Sequence, residues 1–286
     1  GASAAAAAFD RENLFVDVDA TLIWDDNQSQ ALKPRNKIED RSLVAGARLG
    51  YSQLLSQTSM LVGSVFAEQE IMDEVAPLDR TSLGLKGALR WQPSSAFTAP
   101  IVEFNLSWQD DNYASEARDS GVLISQLFVT RRITDRITGT AGLQYRQRDS
   151  AGSVWDLEDG RVFLNGDYVI SKKLAAYATY SYLEGDSFSS AQRVYCNGSN
   201  ATDILPLINI ATAIEADDAY NEYHCGDWLA YRIDSHAHTA VLGANYGFSH
   251  NFSADISVLY ADVIADDDED ISYQRRLIRA SLLRRF

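Results

Sequence analysis

The chain is short of basic residues, of cysteine and of long apolar runs, and each shortage removes a class of protein. Its 286 residues carry 25 Lys and Arg against 40 Asp and Glu, a net charge of −15. With a pI near 4.6 it lacks the basic surface by which a nucleic-acid binder neutralises phosphates. No stretch offers the roughly 18 consecutive apolar residues of a membrane-spanning helix. The longest apolar-leaning run, Ile204 to Ile214, is too short to span and contains Pro206 and Asn209. Only Cys196 and Cys225 are present, both in one non-periodic region. Such a pair points to a disulfide and an oxidising compartment, with two unrelated thiols as the alternative. What is there is apolar enough to fold: 46% hydrophobic and 10% aromatic residues exclude a disordered chain. The mean hydropathy of −0.21 looks soluble. A barrel, however, spans lipid with half its residues polar, so the missing apolar runs exclude only helical membrane proteins.

The dominant period is two. Leu14, Val16, Val18, Ala20, Leu22 and Trp24 alternate with Phe15, Asp17, Asp19, Thr21 and Ile23, and similar runs recur along the chain. Twelve segments fit strands: 12–24, 41–54, 59–70, 80–92, 97–109, 121–133, 136–148, 160–171, 173–184, 232–248, 251–263 and 271–286. Each is near the length that a tilted strand needs to cross a bilayer. Short turns alternate with longer loops near 25–40, 70–79, 110–119, 149–159, 184–234 and 262–270. That rhythm predicts an all-β, up-and-down antiparallel barrel of 12 strands, with short turns on the periplasmic side and long loops outside. Residues 11–286 form a single domain in this reading, and 1–10 a flexible N-terminal segment. The small residues Gly1 to Ala8 resemble the region of a signal-peptide cleavage site, or an appended artificial sequence.

Aromatic positions separate a membrane barrel from a soluble sheet. Trp24, Trp108, Tyr145, Tyr180, Tyr182 and Tyr260 fall at strand ends beside long loops. Tyr51, Trp91, Tyr168, Tyr246, Phe248, Phe252 and Phe286 fall beside short turns or the terminus. Two aromatic girdles around an aliphatic belt suit a bilayer. The final strand ends in Phe286, preceded by Ile278, Ala280 and Leu282 on the same face; Arg284 departs from the apolar residue usual there. On these features the chain resembles the bacterial outer-membrane β-barrel proteins, a porin-like superfamily, over about 11–286. The resemblance implies export with removal of a signal peptide, an outer-membrane location, and contact with its lipids and lipopolysaccharide. Ile278, Ala280, Leu282 and Phe286 match that family's signal for its assembly machinery.

Parity then assigns a lumen. Its basic candidates are Arg48, Lys86, Arg90, Arg146, Arg148, Arg161, Arg275 and Arg279; its acidic candidates are Asp17, Asp19, Glu68, Glu103, Asp167 and Asp255. These side chains either line a hydrated, anion-preferring pore or pair across a closed interior. The long loops hold most of the carboxylates, densest at Asp266 to Asp270, while the remainder is net basic. Such loops would attract cations or an envelope protein, or simply stay hydrated. The run 204–214 would fold inward as a constriction, pack on the rim as a short helix, or meet a partner. His236 and His238 share a face and are weak metal candidates. No cofactor motif, nucleophile motif or phosphate loop appears, so no enzyme is expected. The expected function is passive diffusion of small hydrophilic solutes. A closed barrel that anchors a surface or secretion assembly is the alternative, and an outer-membrane hydrolase a more remote one.

Overall fold

A computed structural model describes residues 13–286; the segment 1–10 lies outside the described residues. Alternating side chains extend the chain into β1 Leu14–Asp25, β2 Asp40–Leu54, β3 Ser59–Met72, β4 Arg80–Trp91, β5 Ile101–Tyr113, β6 Ser120–Arg132 and β7 Ile137–Ser150. Then follow β8 Leu157–Val169, β9 Leu174–Val194, β10 Ala213–Ala216, β11 Asp227–Ser249, β12 Phe252–Ala265 and β13 Ser272–Arg285. Two short helices, α1 Leu205–Ile210 and α2 Asp218–Tyr223, stand between β9 and β11.

Every neighbouring pair is antiparallel. β13 closes against β1, from Asp17↔Arg285 to Asp25↔Leu277, and β9 closes against β11. The result is a closed 12-strand antiparallel barrel of β1–β9 and β11–β13. Closure satisfies the edge hydrogen bonds, which is what lipid requires of a sheet. β10 sits outside the ring. It pairs with Ala230 to Arg232 and Leu229 of β11, where β12 no longer reaches, and so covers that exposed edge.

The longest loop is shorter than the alternation predicts. β9 runs on to Val194 and β11 begins at Asp227, and the two extensions pair with each other above the wall. There Ser189, Ser190, Ala191, Ala230 and Tyr231 are all buried. A strand covered on both faces loses its period of two, which is why these extensions read as loop. Gly185 lies in the β9 extension with φ +138°, and a Cβ there would sit 2.2 Å from the Glu158 carbonyl oxygen. The β-carbon-free residue lets β9 press against β8 where the wall ends.

The outward face carries exposed leucines at 22, 43, 49, 85, 106, 127, 143, 164 and 242. Moving one such side chain from water to hydrocarbon contributes about 2 kcal/mol. Trp108, Tyr145 and Tyr180 flank the belt at the long-loop end, Trp91, Tyr168, Tyr246 and Phe248 at the short-turn end. Phe248 stacks on Phe252 at 5.0 Å. Ile278, Ala280, Leu282 and Phe286 are all exposed on this face. Arg284 points outward too, its guanidinium 4.6 Å from the Phe286 ring, where it can reach headgroups.

Most of the buried apolar core lies among the loops at the long-loop end, and one cluster, Ala237, Val263 and Tyr273 with Leu32 and Leu183, lines the inner wall just below them. Ile204 and Leu207 pack with Tyr231, Ile233 and Ile271. Val75 and Leu78 pack with Tyr220 and Trp228, and Val154 and Trp155 with Ala230.

Candidate channel lumen and lid

Inside the barrel the alternate row is polar, and most of its charges meet a partner. Asp17 accepts hydrogen bonds from Arg48 and from Arg285 Nε (2.7 Å). Arg90 pairs with Glu103 at 2.9 Å, Arg80 with Glu70 at 3.0 Å, and Arg146 with Asp159. Arg275 Nε donates to Asp25 at 2.8 Å. Arg148 donates to Ser120 Oγ and to the Arg118 carbonyl. Asp255 accepts from the Tyr177 hydroxyl, and Asp167 from Asn165. Lys86, Arg161 and Arg279, like Asp19 and Glu68, form no ion pair among the described residues. Amide and hydroxyl pairs fill the rest of the wall: Gln126 with Gln144, Thr179 with Asn165.

Two cavities of about 300 and 340 Å³ adjoin at Arg48 and Lys86. The first is lined by Asp19, Glu68 and Gln109, the second by Phe15, Arg90, Glu103 and Asn105. A third, of about 220 Å³, lies nearer the long loops beside Arg146, Arg148, Asp159 and Arg275. Phe15 lies flat over Gly50 of the next strand, where a Cβ would fall 2.1 Å from its ring. The glycine lets the ring hug the wall instead of crossing the lumen.

Asp25, Asp111 and Asp159 belong to this inward set, although the sequence places them in loops, and so does Glu70, at the end of the expected strand 59–70. The strands run a few residues further than the alternation suggests, and extending the parity count would have reached these acids. Arg80, Arg132 and Arg285 also face inward on the same parity.

Above the lumen the loops knit into a lid. α2 leads into β11 but packs on Val75 and Leu78, from the β3–β4 loop nearly opposite in the ring. Arg118, from the β5–β6 loop, holds both oxygens of Asp217 at 3.0 Å, and Ser190 Oγ donates to the same carboxylate. The guanidinium lies 4.7 Å from the Trp155 ring centre, 5.5 Å from Phe188 and 5.9 Å from Tyr220. Arg118 is 5% exposed and Asp217 0%. Burial disfavours the Arg118 charge, but Asp217 beside it holds the guanidinium above its ordinary pKa. Burial pushes the Tyr220 hydroxyl well above its usual value.

The Cys196–Cys225 disulfide ties the end of β9 to the start of β11, with Cα atoms 5.0 Å apart. Gln192 and the Trp228 indole both donate to the Cys225 carbonyl. The run 204–214 takes the rim position: α1 buries Leu207 against the β11 extension, and β10 follows.

His236 and His238 share a face, and it is the outer one. His238 Nδ1 lies 2.7 Å from the Tyr180 hydroxyl and His236 Nδ1 2.7 Å from Asp266. Among the described residues no group of three His, Cys, Asp or Glu side chains is placed to hold a metal ion.

A closed barrel with an aliphatic outer belt, aromatic girdles and a polar interior is the fold of the bacterial outer-membrane β-barrels. Among solved structures, the chain is similar to the COG4313 outer membrane channel from Pseudomonas putida F1. The TM-score is 0.59 at 13% identity, over 96% of each chain. It is also similar, more distantly, to the KdgM porin in complex with disordered oligogalacturonate, with TM-score 0.46 and 11% identity over 94% of this chain and 98% of that one. No family model and no curated protein matches the sequence.

Proposed function

We propose that the chain is an outer-membrane channel for passive diffusion of small hydrophilic solutes, capped on its outer side by a loop lid. The observation that carries this reading is the pair of adjoining polar cavities inside a closed barrel. A packed, structural barrel would fill that space with side chains. The similarity to an outer-membrane channel supports the same reading. Ion selectivity in this account is weak. Arg48, Arg90, Arg146, Arg275 and Arg285 are offset by carboxylates, so the anion preference rests on Lys86, Arg148, Arg161 and Arg279, with Asp19 and Glu68 opposing them. Outer-membrane lipids and lipopolysaccharide are its surroundings, the assembly machinery reads its terminal strand, and its role is not catalytic.

The lid favours one second reading, a closed barrel whose acidic loops anchor an envelope partner. Reversal potentials of the pure protein in planar bilayers under a KCl gradient test both. A small displacement in the anion direction is expected. Strong cation preference overturns the lumen-arginine account, and folded protein that never conducts supports the closed barrel.

A further inference from the structure

The short turns of the barrel are charged in one sector only. The turns at 55–58, 92–100 and 250–251 contain no Lys, Arg, Asp or Glu. The other two are neighbours: 133–136 joins β6 to β7, and 170–173 joins β8 to β9. The Val169 amide donates to the Arg136 carbonyl at 2.8 Å, which sets these two turns side by side. They bring together Arg136, Lys172 and Lys173, and Arg131 stands beside them near the end of β6. All four are exposed, and none of their side chains forms an ion pair or hydrogen bond among the described residues. Asp135 is the only acid in the two turns.

Toward the belt, the outer wall beside this cluster is notched. Arg131, Gly139, Gly166 and Ala178 are successive cross-strand partners on β6, β7, β8 and β9, and parity turns all four outward. A Cβ on Gly166 would meet nothing within 4 Å, while Leu164 and Tyr168 stand exposed on either side of it along β8. Ile133 folds over Gly139, where a Cβ would lie 3.3 Å from its Cδ1. Glycine inside a strand gives up packing of its own and lets another molecule approach the backbone. The notch is apolar, and it ends beneath four cations opposed by one carboxylate. A neutral lipid would fill the notch but leave the cations to water. A soluble acidic polymer would reach the cations and leave the notch empty. A lipid with an anionic headgroup satisfies both.

We propose that the β6–β9 sector binds an anionic phospholipid of the periplasmic leaflet, with its headgroup on Arg131, Arg136, Lys172 and Lys173 and an acyl chain over Gly166. The site rests on the outer-membrane reading and not on whether the barrel conducts. Flexible basic side chains at the edge of the belt reach such headgroups while their stems stay against hydrocarbon.

Native mass spectrometry of the full chain, folded in neutral detergent and titrated with dioleoyl phosphatidylglycerol or dioleoyl phosphatidylcholine, tests it. The phosphatidylglycerol adduct is expected to form at a concentration at least ten-fold lower. One basic residue at an anionic headgroup is worth about five-fold in affinity. Lys172→Gln with Lys173→Gln, both in an exposed turn, should therefore weaken phosphatidylglycerol by about twenty-fold and leave phosphatidylcholine unchanged. Gly166→Leu keeps every charge but fills the notch, and should weaken phosphatidylglycerol several-fold. Equal binding of the two lipids overturns the proposal, as does unchanged phosphatidylglycerol binding in the folded double-lysine variant. Indifference to Gly166→Leu, with displacement of the lipid by soluble polyglutamate, also overturns it and points to an acidic polymer instead. Heat-modified gel mobility separates the two levels of failure. A chain that folds in neither detergent nor lipid vesicles brings down the outer-membrane reading and the site with it; a folded chain without lipid preference brings down the site alone.

Discussion

Arg118→Met would strand the Asp217 carboxylate at a site with no solvent access. Breaking a buried pair from one side costs about 3–5 kcal/mol, because the remaining charge stays desolvated. The expected outcome is an opened lid on an intact barrel, seen as faster proteolysis within residues 184–234 with unchanged heat-modified mobility. The double change Arg118→Met with Asp217→Leu should recover most of the protection, since two apolar side chains suit the ring of Trp155, Phe188 and Tyr220. Equal protease sensitivity in single and double variants would contradict the pair's role. None of this was legible in the sequence. Arg118 and Asp217 lie 99 residues apart and each sits in an unremarkable loop. The two cysteines, by contrast, announced their bond by being the only pair in one region. Their replacement by serine should loosen the same lid by about 3 kcal/mol on the loop-closure argument, again read by protease sensitivity.

At the level of the strand, parity gives each side chain its solvent. Leu106 and Ser107 are neighbours in β5, one exposed on the outer belt and one facing the lumen. Leu106→Arg should destabilise the barrel by about 2–4 kcal/mol in urea titrations from lipid vesicles. Ser107→Arg should cost little there and alter conductance instead. Similar losses for both would mean that the two faces are not lipid and water. The alternation is strong in these mid-barrel stretches, so the twelve strands and both girdles could be read directly. It failed at the strand ends. Asp25, Asp111 and Asp159 read as loop acids because acidic residues crowd the adjoining turns. It failed again in the β9 and β11 extensions, where the lid covers both faces and polar Ser189 and Ser190 sit in the core. The apolar run 204–214 was conspicuous, but its amphipathic character gave no sign of which surface it covers; the partner, Tyr231 and Ile233 of β11, comes from across the loop.

For the whole molecule, the net charge of −15 resolves into two parts. The lumen pairs most of its charges, and the surplus of carboxylates stands on the loops around and above the lid. The account's central claim is that the barrel beneath this lid conducts, and that the lid limits how much. Single-channel recording in planar bilayers tests it most directly, comparing the unmodified chain with Arg118→Met. The account predicts discrete current steps from the unmodified protein and larger or longer openings once the Arg118–Asp217 latch is broken. Folded protein that shows no steps in either form would contradict it.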